Sequence, residues 1–328
     1  MVIIAFQTPQ LDVRGSCDAV YNYAHYNEVL LFNLSLIFVP DGARNEPEAV
    51  SKFRKRFRIV QYSDMERSLA ENKCDVLYTI KYGRNDGVFS KNVPTIVHCV
   101  FDLSEPHGDA YVAVSKALAE KYGKAEFLPH IVRQQPALSG DLREELCIPR
   151  KAIVFGRHGG MDTFNLPWVH GAISRIVNER DDIYFLFINT PAFYIHKQII
   201  YLPRTGEAEY KNKFIATCDA GLEASNLGHS FGLSCAEMSV NNKPMLVYNG
   251  PVWNDAHIKI LGEKGLYFSN EWEFYNLITG FEKKDRGDLN AYREFAPEKV
   301  IKKFANLVEK SIGVFMLSTA DSSNSTES

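Results

Sequence analysis

Apolar and polar residues alternate in blocks along this chain, and short apolar runs change places with stretches of helical spacing. Residues 2–6, 35–39, 76–79, 95–98 and 110–114 are compact apolar runs that read as buried strands. Residues 18–31, 50–57, 65–72 and 115–122 carry the three-to-four spacing of helices. Residues 58–62 read as extended, and 125–128 closes the set. Strands in regular exchange with helices predict a parallel sheet covered by helices on both faces.

The pattern then restarts. Residues 152–156 form an apolar strand ending in glycine, and 183–188 hold six apolar residues in a row, the mark of a strand buried on both faces. Short strands are predicted at 220–223 and 245–248, with helices at 168–178, 210–218, 234–240 and 271–279. A last helix is predicted at 297–312, with Pro297 in its first turn. A length of 328 residues suits two domains of about 150 each. The predicted division is an N-terminal Rossmann-like domain over 1–145 and a C-terminal one over 150–296. A closing helix over 297–315 and a disordered Ser/Thr/Asn-rich tail over 316–328 complete it. The polar stretch 136–149, with prolines at both ends, marks the boundary.

Composition narrows the function. The chain is 45% hydrophobic and 23% charged, with net charge −3. No strongly basic face is implied, so nucleic acid is not an expected partner. One basic cluster stands out, Lys52-Phe53-Arg54-Lys55-Arg56-Phe57-Arg58, which reads either as a solvated helix face or as a peripheral membrane contact. Six cysteines are scattered without a C-x-x-C pair, so neither a disulfide framework nor a zinc site is expected. No apolar run reaches membrane-spanning length and no secretory start is present, so a cytoplasmic location is expected. No G-x-G-x-x-G follows the first strand, which speaks against a dinucleotide-dependent dehydrogenase.

The segment from His229 to Pro244, H-S-F-G-L-S-C-A-E-M-S-V-N-N-K-P, carries the most chemistry. It reads as a glycine turn, a helix bearing the inward carboxylate Glu237, and the next strand. A helix start exposes N–H groups and a partial positive charge, which suits a phosphate. Glu237, about one turn inside, is placed to meet sugar hydroxyls. The pairing predicts a nucleotide-sugar site.

Four segments give a resemblance to the two-domain (GT-B) glycosyltransferases, and among them the retaining enzymes of glycosyltransferase family 4. They are T-P-Q-L-D-V-R-G-S-C-D-A-V-Y from Thr8, P-T-I-V-H ending at His98, the run from Tyr111 to Val132, and F-G-R at 155–157 with the Glu237 segment. The resemblance implies two doubly wound parallel sheets facing across a cleft. It implies that Glu237 binds the ribose, that Gly15 approaches the diphosphate, and that His98 lies in the active site. The family's usual E-G-F-G-L-x-x-x-E has His229 at the first position here, and the Lys expected after G-R is missing.

Transfer from a nucleotide sugar needs the leaving diphosphate neutralised. Arg157 at a strand end, with amides of Gly159 and Gly160, is the expected agent, alongside catalytic His98 and Glu237. Donor contacts are expected from Gly15, Asn189, Thr190, His229, Ser230, Phe231, Gly232 and Leu233, and acceptor contacts from Asp12, Arg14 and Asp102. Each has a plain structural alternative: a surface Arg157, a turn Gly15, a core His98, a Glu237 held in an internal salt bridge. No metal and no cofactor beyond the nucleotide-sugar donor are expected. The expected activity is metal-independent transfer of a hexose from a GDP- or UDP-sugar, with retention, to a glycan, lipid-linked or protein-linked acceptor. A non-catalytic nucleotide-sugar or glycan-binding subunit and a sugar epimerase are the alternatives.

Overall fold

A computed structural model describes residues 1–133 and 140–324, with side chains to 317. The chain divides into two compact units, Met1–Ile131 with the chain from Phe295 onward, and Val132–Glu294.

The first unit runs β1 (Ile3–Gln7), α1 (Gly15–Leu31), β2 (Leu34–Pro40), α2 (Pro47–Arg54), β3 (Arg58–Tyr62), α3 (Met65–Glu71), β4 (Val76–Lys81), β5 (Thr95–Cys99), β6 (Ala110–Ala113) and α4 (Lys116–Lys121). Its six strands pair in parallel in the order β3-β2-β1-β4-β5-β6. The inner strands are apolar on both faces because helices cover both. Helix starts follow capping chemistry: Asp64 accepts from Arg67 N before α3, and Ser115 from Leu118 N before α4. The C-terminal helix Pro297–Asn324 lays Val300, Ile301, Phe304 and Val308 into this core. Phe304 meets the rings of Phe6, Tyr23 and Tyr78 at 5.2–6.0 Å.

The second unit runs β7 (Ile153–Arg157), α5 (Pro167–Glu179), β8 (Ile183–Ile188), β9 (Ile199–Leu202), α6 (Ala208–Thr217), β10 (Ala220–Glu223), β11 (Gly228–His229), α7 (Leu233–Val240), β12 (Met245–Tyr248), β13 (Asn254–Asp255), α8 (Ala256–Leu261), β14 (Gly265–Phe268) and α9 (Glu271–Thr279). Its parallel sheet has the order β14-β12-β10-β7-β8-β9, and β11 pairs with β13 apart from it.

Three sequence expectations change. The tail expected to be disordered from 316 continues the C-terminal helix through Asn324, because residues 314–324 hold neither Gly nor Pro to stop it; 325–328 lie outside the described residues. The division between units falls at 131/132 and not at 145. Arg143 bonds the carbonyls of Pro149, Ala152 and Thr217 at 2.9–3.2 Å and the Asp219 carboxylate at 2.9 Å, which ties this stretch to the second unit. Part of the expected boundary, 134–139, lies outside the described residues. The expected strand at 125–128 is a single bridge, Ala113 to Phe127.

The basic cluster at 52–58 is half absorbed by the fold. Phe53 and Phe57 are buried, Lys52 bonds Asp18 and lies over the Tyr21 ring, and Arg56 pairs with Glu28 at 2.5 Å. Arg54, Lys55 and Arg58 remain exposed.

Candidate functional site

In the second unit β8, β7 and β10 lie side by side and parallel, so the loops leaving them gather at one sheet edge. Open parallel sheets take ligands at this C-terminal edge. β7 ends in Arg157 and leads into His158, Gly159 and Gly160; β8 leads into Asn189 and Thr190. The structure brings these expected donor residues together, but Arg157 is turned inward and only 1% exposed. Nη1 donates to Asn189 O at 3.2 Å and to Thr190 Oγ1 at 2.6 Å. Nη2 donates to Gly160 O and Thr163 Oγ1, both at 2.6 Å. Asn189 Nδ2 in turn donates to Gly159 O at 2.8 Å. In this arrangement the guanidinium holds two loops, and the expected contact between Arg157 and a diphosphate would require it to leave these partners. A strand-end Arg reads the same in sequence whether it points out or in.

The glycine turn before α7 is present. Gly232 takes φ +83°, and a Cβ there would stand 2.7 Å from His257 Cβ, so the position requires glycine. Ala236 N is the first to close a helical bond, to Gly232 O, so the amides of the first turn point out of the helix start. One turn further, Glu237 is gripped at both oxygens. His158 Nε2 donates to Oε2 at 2.6 Å and Lys211 Nζ to Oε1 at 2.5 Å. Burial alone would raise this carboxyl, but the Lys211 ammonium and the His158 bond outweigh it and hold it well below the ordinary range. The Glu237 side chain keeps 22% of its surface exposed. Sequence reasoning missed both partners. His158 could have been flagged as the polar residue next to Arg157, whereas Lys211 lies 26 positions from Glu237 and gives no sequence signal.

A second acid–histidine contact lies in the same unit. Glu223, at the end of β10, is buried, and its Oε1 stands 2.9 Å from His229 Nε2, though off the line of a hydrogen bond. The His257 ring meets that of His229 edge-on at 5.0 Å. Burial works against ionising Glu223, but His229 and then Arg157 prevail and hold it down. The sequence reading assigned Glu223 no role; a carboxylate closing a buried strand was the available signal. Ser230 and Phe231 are buried too, and Phe231 packs on Tyr292, whose hydroxyl donates to Phe231 O at 3.0 Å. The Phe231 ring thus occupies a core position, which leaves its backbone for the expected donor contact. Leu233 begins α7 half-buried.

The remaining candidates belong to the first unit. Gly15 opens α1 and is exposed. Asp12 is buried and accepts from Arg14 N and Gln10 Nε2, both at 2.9 Å, while the Arg14 side chain is exposed. Asp102 accepts from Ser104 N at 2.7 Å and Arg84 Nε at 3.2 Å, and bonds from Ser104 first of all pull its carboxyl to about 2. His98 has no exposed surface; its Nδ1 lies 2.7 Å from the Tyr78 hydroxyl. β5 is covered on both faces, so the His98 ring stands in the core of this unit, and the expected catalytic contact would require it to be uncovered. Among the described residues no group of three His, Cys, Asp or Glu is placed to hold a metal ion.

No family model and no curated protein matches the chain. Solved structures do. Anabaena Alr3699/HepE in complex with UDP and glucose superposes with a TM-score of 0.70 at 12% identity, over 93% of this chain and 99% of that one. A glycosyltransferase from Rickettsia africae ESF-5 gives 0.70 at 13%, over 95% and 98%. Sucrose-phosphate synthase from Thermosynechococcus elongatus gives 0.66 at 10%, over 94% and 99%. Two parallel six-stranded sheets with flanking helices, matched over nearly the whole of each chain, make this the two-domain, Rossmann-like GT-B fold.

Proposed function

We propose that the protein is a glycosyltransferase that moves a hexose from a nucleoside-diphosphate sugar, UDP- or GDP-linked, to a carbohydrate-bearing acceptor. The observation that carries the reading is the ionised Glu237 on α7, with the Gly232 turn at the helix start and His158 leading into the Gly159-Gly160 loop. Outward amides at a helix start suit the diphosphate, and a half-shielded carboxylate suits ribose hydroxyls. Structural neighbours in complex with UDP support the same reading. With Arg157 withdrawn, neutralising the leaving diphosphate falls to backbone amides and the helix dipole.

Retention, with the leaving phosphate taking the acceptor's proton, and independence of metal belong to this proposal. So do a cytoplasmic location and a peripheral membrane contact through Arg54, Lys55 and Arg58. Among the described residues no helix is long and apolar enough to cross a membrane.

A thermal-shift panel of UDP, GDP, ADP and their sugars tests the reading. A true ligand at a hundred times its Kd adds about 2.7 kcal/mol. Glu237→Ala should abolish that shift and the calorimetric binding signal; unchanged affinity removes Glu237 from the site. The occupied Arg157 favours one second reading, a donor-binding subunit without turnover, which binding without transfer or hydrolysis would identify.

A further inference from the structure

The first turn of α7 carries no side-chain anchor of its own. Its N-cap is Gly232, and no acid stands in the turn that follows. The anchor comes from elsewhere in the unit. Residues 287–292 pass along α7 and are fastened to it at three places. Just past its end, Asn242 Nδ2 donates to Gly287 O at 2.8 Å, and Asn242 Oδ1 accepts from Leu289 N at 2.6 Å. In its last turn, the buried Ser239 Oγ donates to Leu289 O at 2.8 Å and accepts from Ala291 N at 2.9 Å. At the other end, the Tyr292 hydroxyl donates to Phe231 O at 3.0 Å, and the two rings meet edge-on at 5.6 Å. Tyr292 is buried, and burial pushes its hydroxyl well above the ordinary value, so it stays a donor. Three residues further on, the chain enters the first unit.

The Phe231 carbonyl and the Gly232 N–H share one trans peptide plane, in which they point to opposite sides. Drawing Phe231 O to the buried Tyr292 hydroxyl turns the Gly232 N–H the other way. Gly232, at φ +83°, passes that orientation on to the amides that follow. We propose that Tyr292 is a positioning residue for the donor's diphosphate: its hydroxyl fixes the plane of the Phe231–Gly232 peptide and so aims the amides at the start of α7. The inference rests on the nucleotide-sugar reading above. Tyr292 sits behind the turn and acts only through this peptide. A ligand without phosphates is therefore indifferent to it.

The test compares Tyr292→Phe with wild type on two pairs of probes, UDP with uridine and GDP with guanosine. Phenylalanine keeps the ring against Phe231 and removes the hydroxyl alone. Calorimetry gives the Kd of the diphosphates, and ligand-observed NMR that of the weaker nucleosides. The diphosphate Kd should rise about tenfold, the worth of one hydrogen bond, while the nucleoside Kd stays the same. Equal loss for both members of a pair marks Tyr292 as a packing residue and overturns the inference, as does no loss for either. Wild type that binds neither diphosphate overturns the nucleotide-sugar reading, and the inference falls with it. A second measurement needs no ligand. In the free protein the ¹⁵N amide resonance of Gly232 should move in Tyr292→Phe while those of β7 stay in place; an unmoved Gly232 resonance refutes the link. Should Tyr292→Phe not fold, Ser239→Ala replaces it: this variant detaches Leu289 and Ala291 from α7, and the same split between diphosphate and nucleoside decides.

Discussion

Lys211 Nζ and Glu237 Oε1 meet at 2.5 Å although 26 positions separate them, one on α6 and the other on α7. The other carboxylate oxygen takes a bond from His158, just past the end of β7. Glu237 is thus fixed from both flanks, one from helix α6 and the other from the loop after β7. A carboxylate held this way meets a diol with little loss of side-chain freedom on binding.

Lys211→Met should therefore weaken donor binding without touching the donor. The pair keeps 22% exposure on each side chain, between a surface pair and a buried one. Its loss should cost about 1–3 kcal/mol in stability. The donor's Kd should rise more than the Kd of free phosphate, since Glu237 reads the ribose. Titration of both ligands against the variant checks the ratio; an equal change in each would detach Lys211 from the ribose contact.

Arg157→Lys should act through the loops. Lysine keeps the charge but has one nitrogen where the guanidinium has two that together bond Asn189, Thr190, Gly160 and Thr163. Losing two bonds to acceptors that are half-buried or, at Gly160, exposed should cost about 1–2 kcal/mol. Urea unfolding measures this. A variant as stable as wild type but unable to bind donor would restore the direct phosphate contact.

The chain announces most of this architecture. β8 is a continuous apolar run and β1 and β2 are nearly so, and tertiary packing had only to put helices on both faces. β9, α8 and β14 escape notice because they are four to six residues long and, in the two strands, largely half-exposed, so apolar periodicity is brief. Glu237 is legible from its place after a glycine turn. Its partners Lys211 and His158, and the Glu223–His229 contact, are not, because the fold and not the local sequence joins β7, β10, α6 and α7. The direction of Arg157 was equally hidden: a strand end leaves a side chain free to go to solvent or back under its own loop.

Gly232→Ala should disable the site locally. The position needs φ +83°, and an added Cβ would meet His257 Cβ at 2.7 Å and the Tyr292 hydroxyl at 3.2 Å. Backbone strain of this kind costs about 1–3 kcal/mol. Relief would shift the start of α7 and its outward amides. Donor binding should fall at least tenfold at a temperature where the variant is fully folded by circular dichroism; full affinity would exclude the α7 start from the site.

Acid should unfold the protein in two stages. His257 is buried neutral, with burial and the neighbouring His229 pushing it down to about 4, and His130 is pushed down to about 3 by burial. In the unfolded chain both titrate near 6.5. Between those values the unfolded state binds more protons than the folded one, so stability rises with pH there and is lost as pH falls from 6.5. For His257 the interval 6.5 to about 4, at 1.36 kcal/mol per unit, is worth roughly 3 kcal/mol. Glu237 and Glu223 act in the same sense further down: their folded values are depressed, so their contribution is full above the unfolded carboxyl value and disappears as pH drops through the folded one. Thermal unfolding midpoints across this range should decline first over the histidine interval and more steeply below pH 4.5, the ordinary carboxyl value. His257→Asn, which removes one buried imidazole, should flatten the first decline and leave the second; a variant with an unchanged first decline would show that His257 is protonated in the folded state.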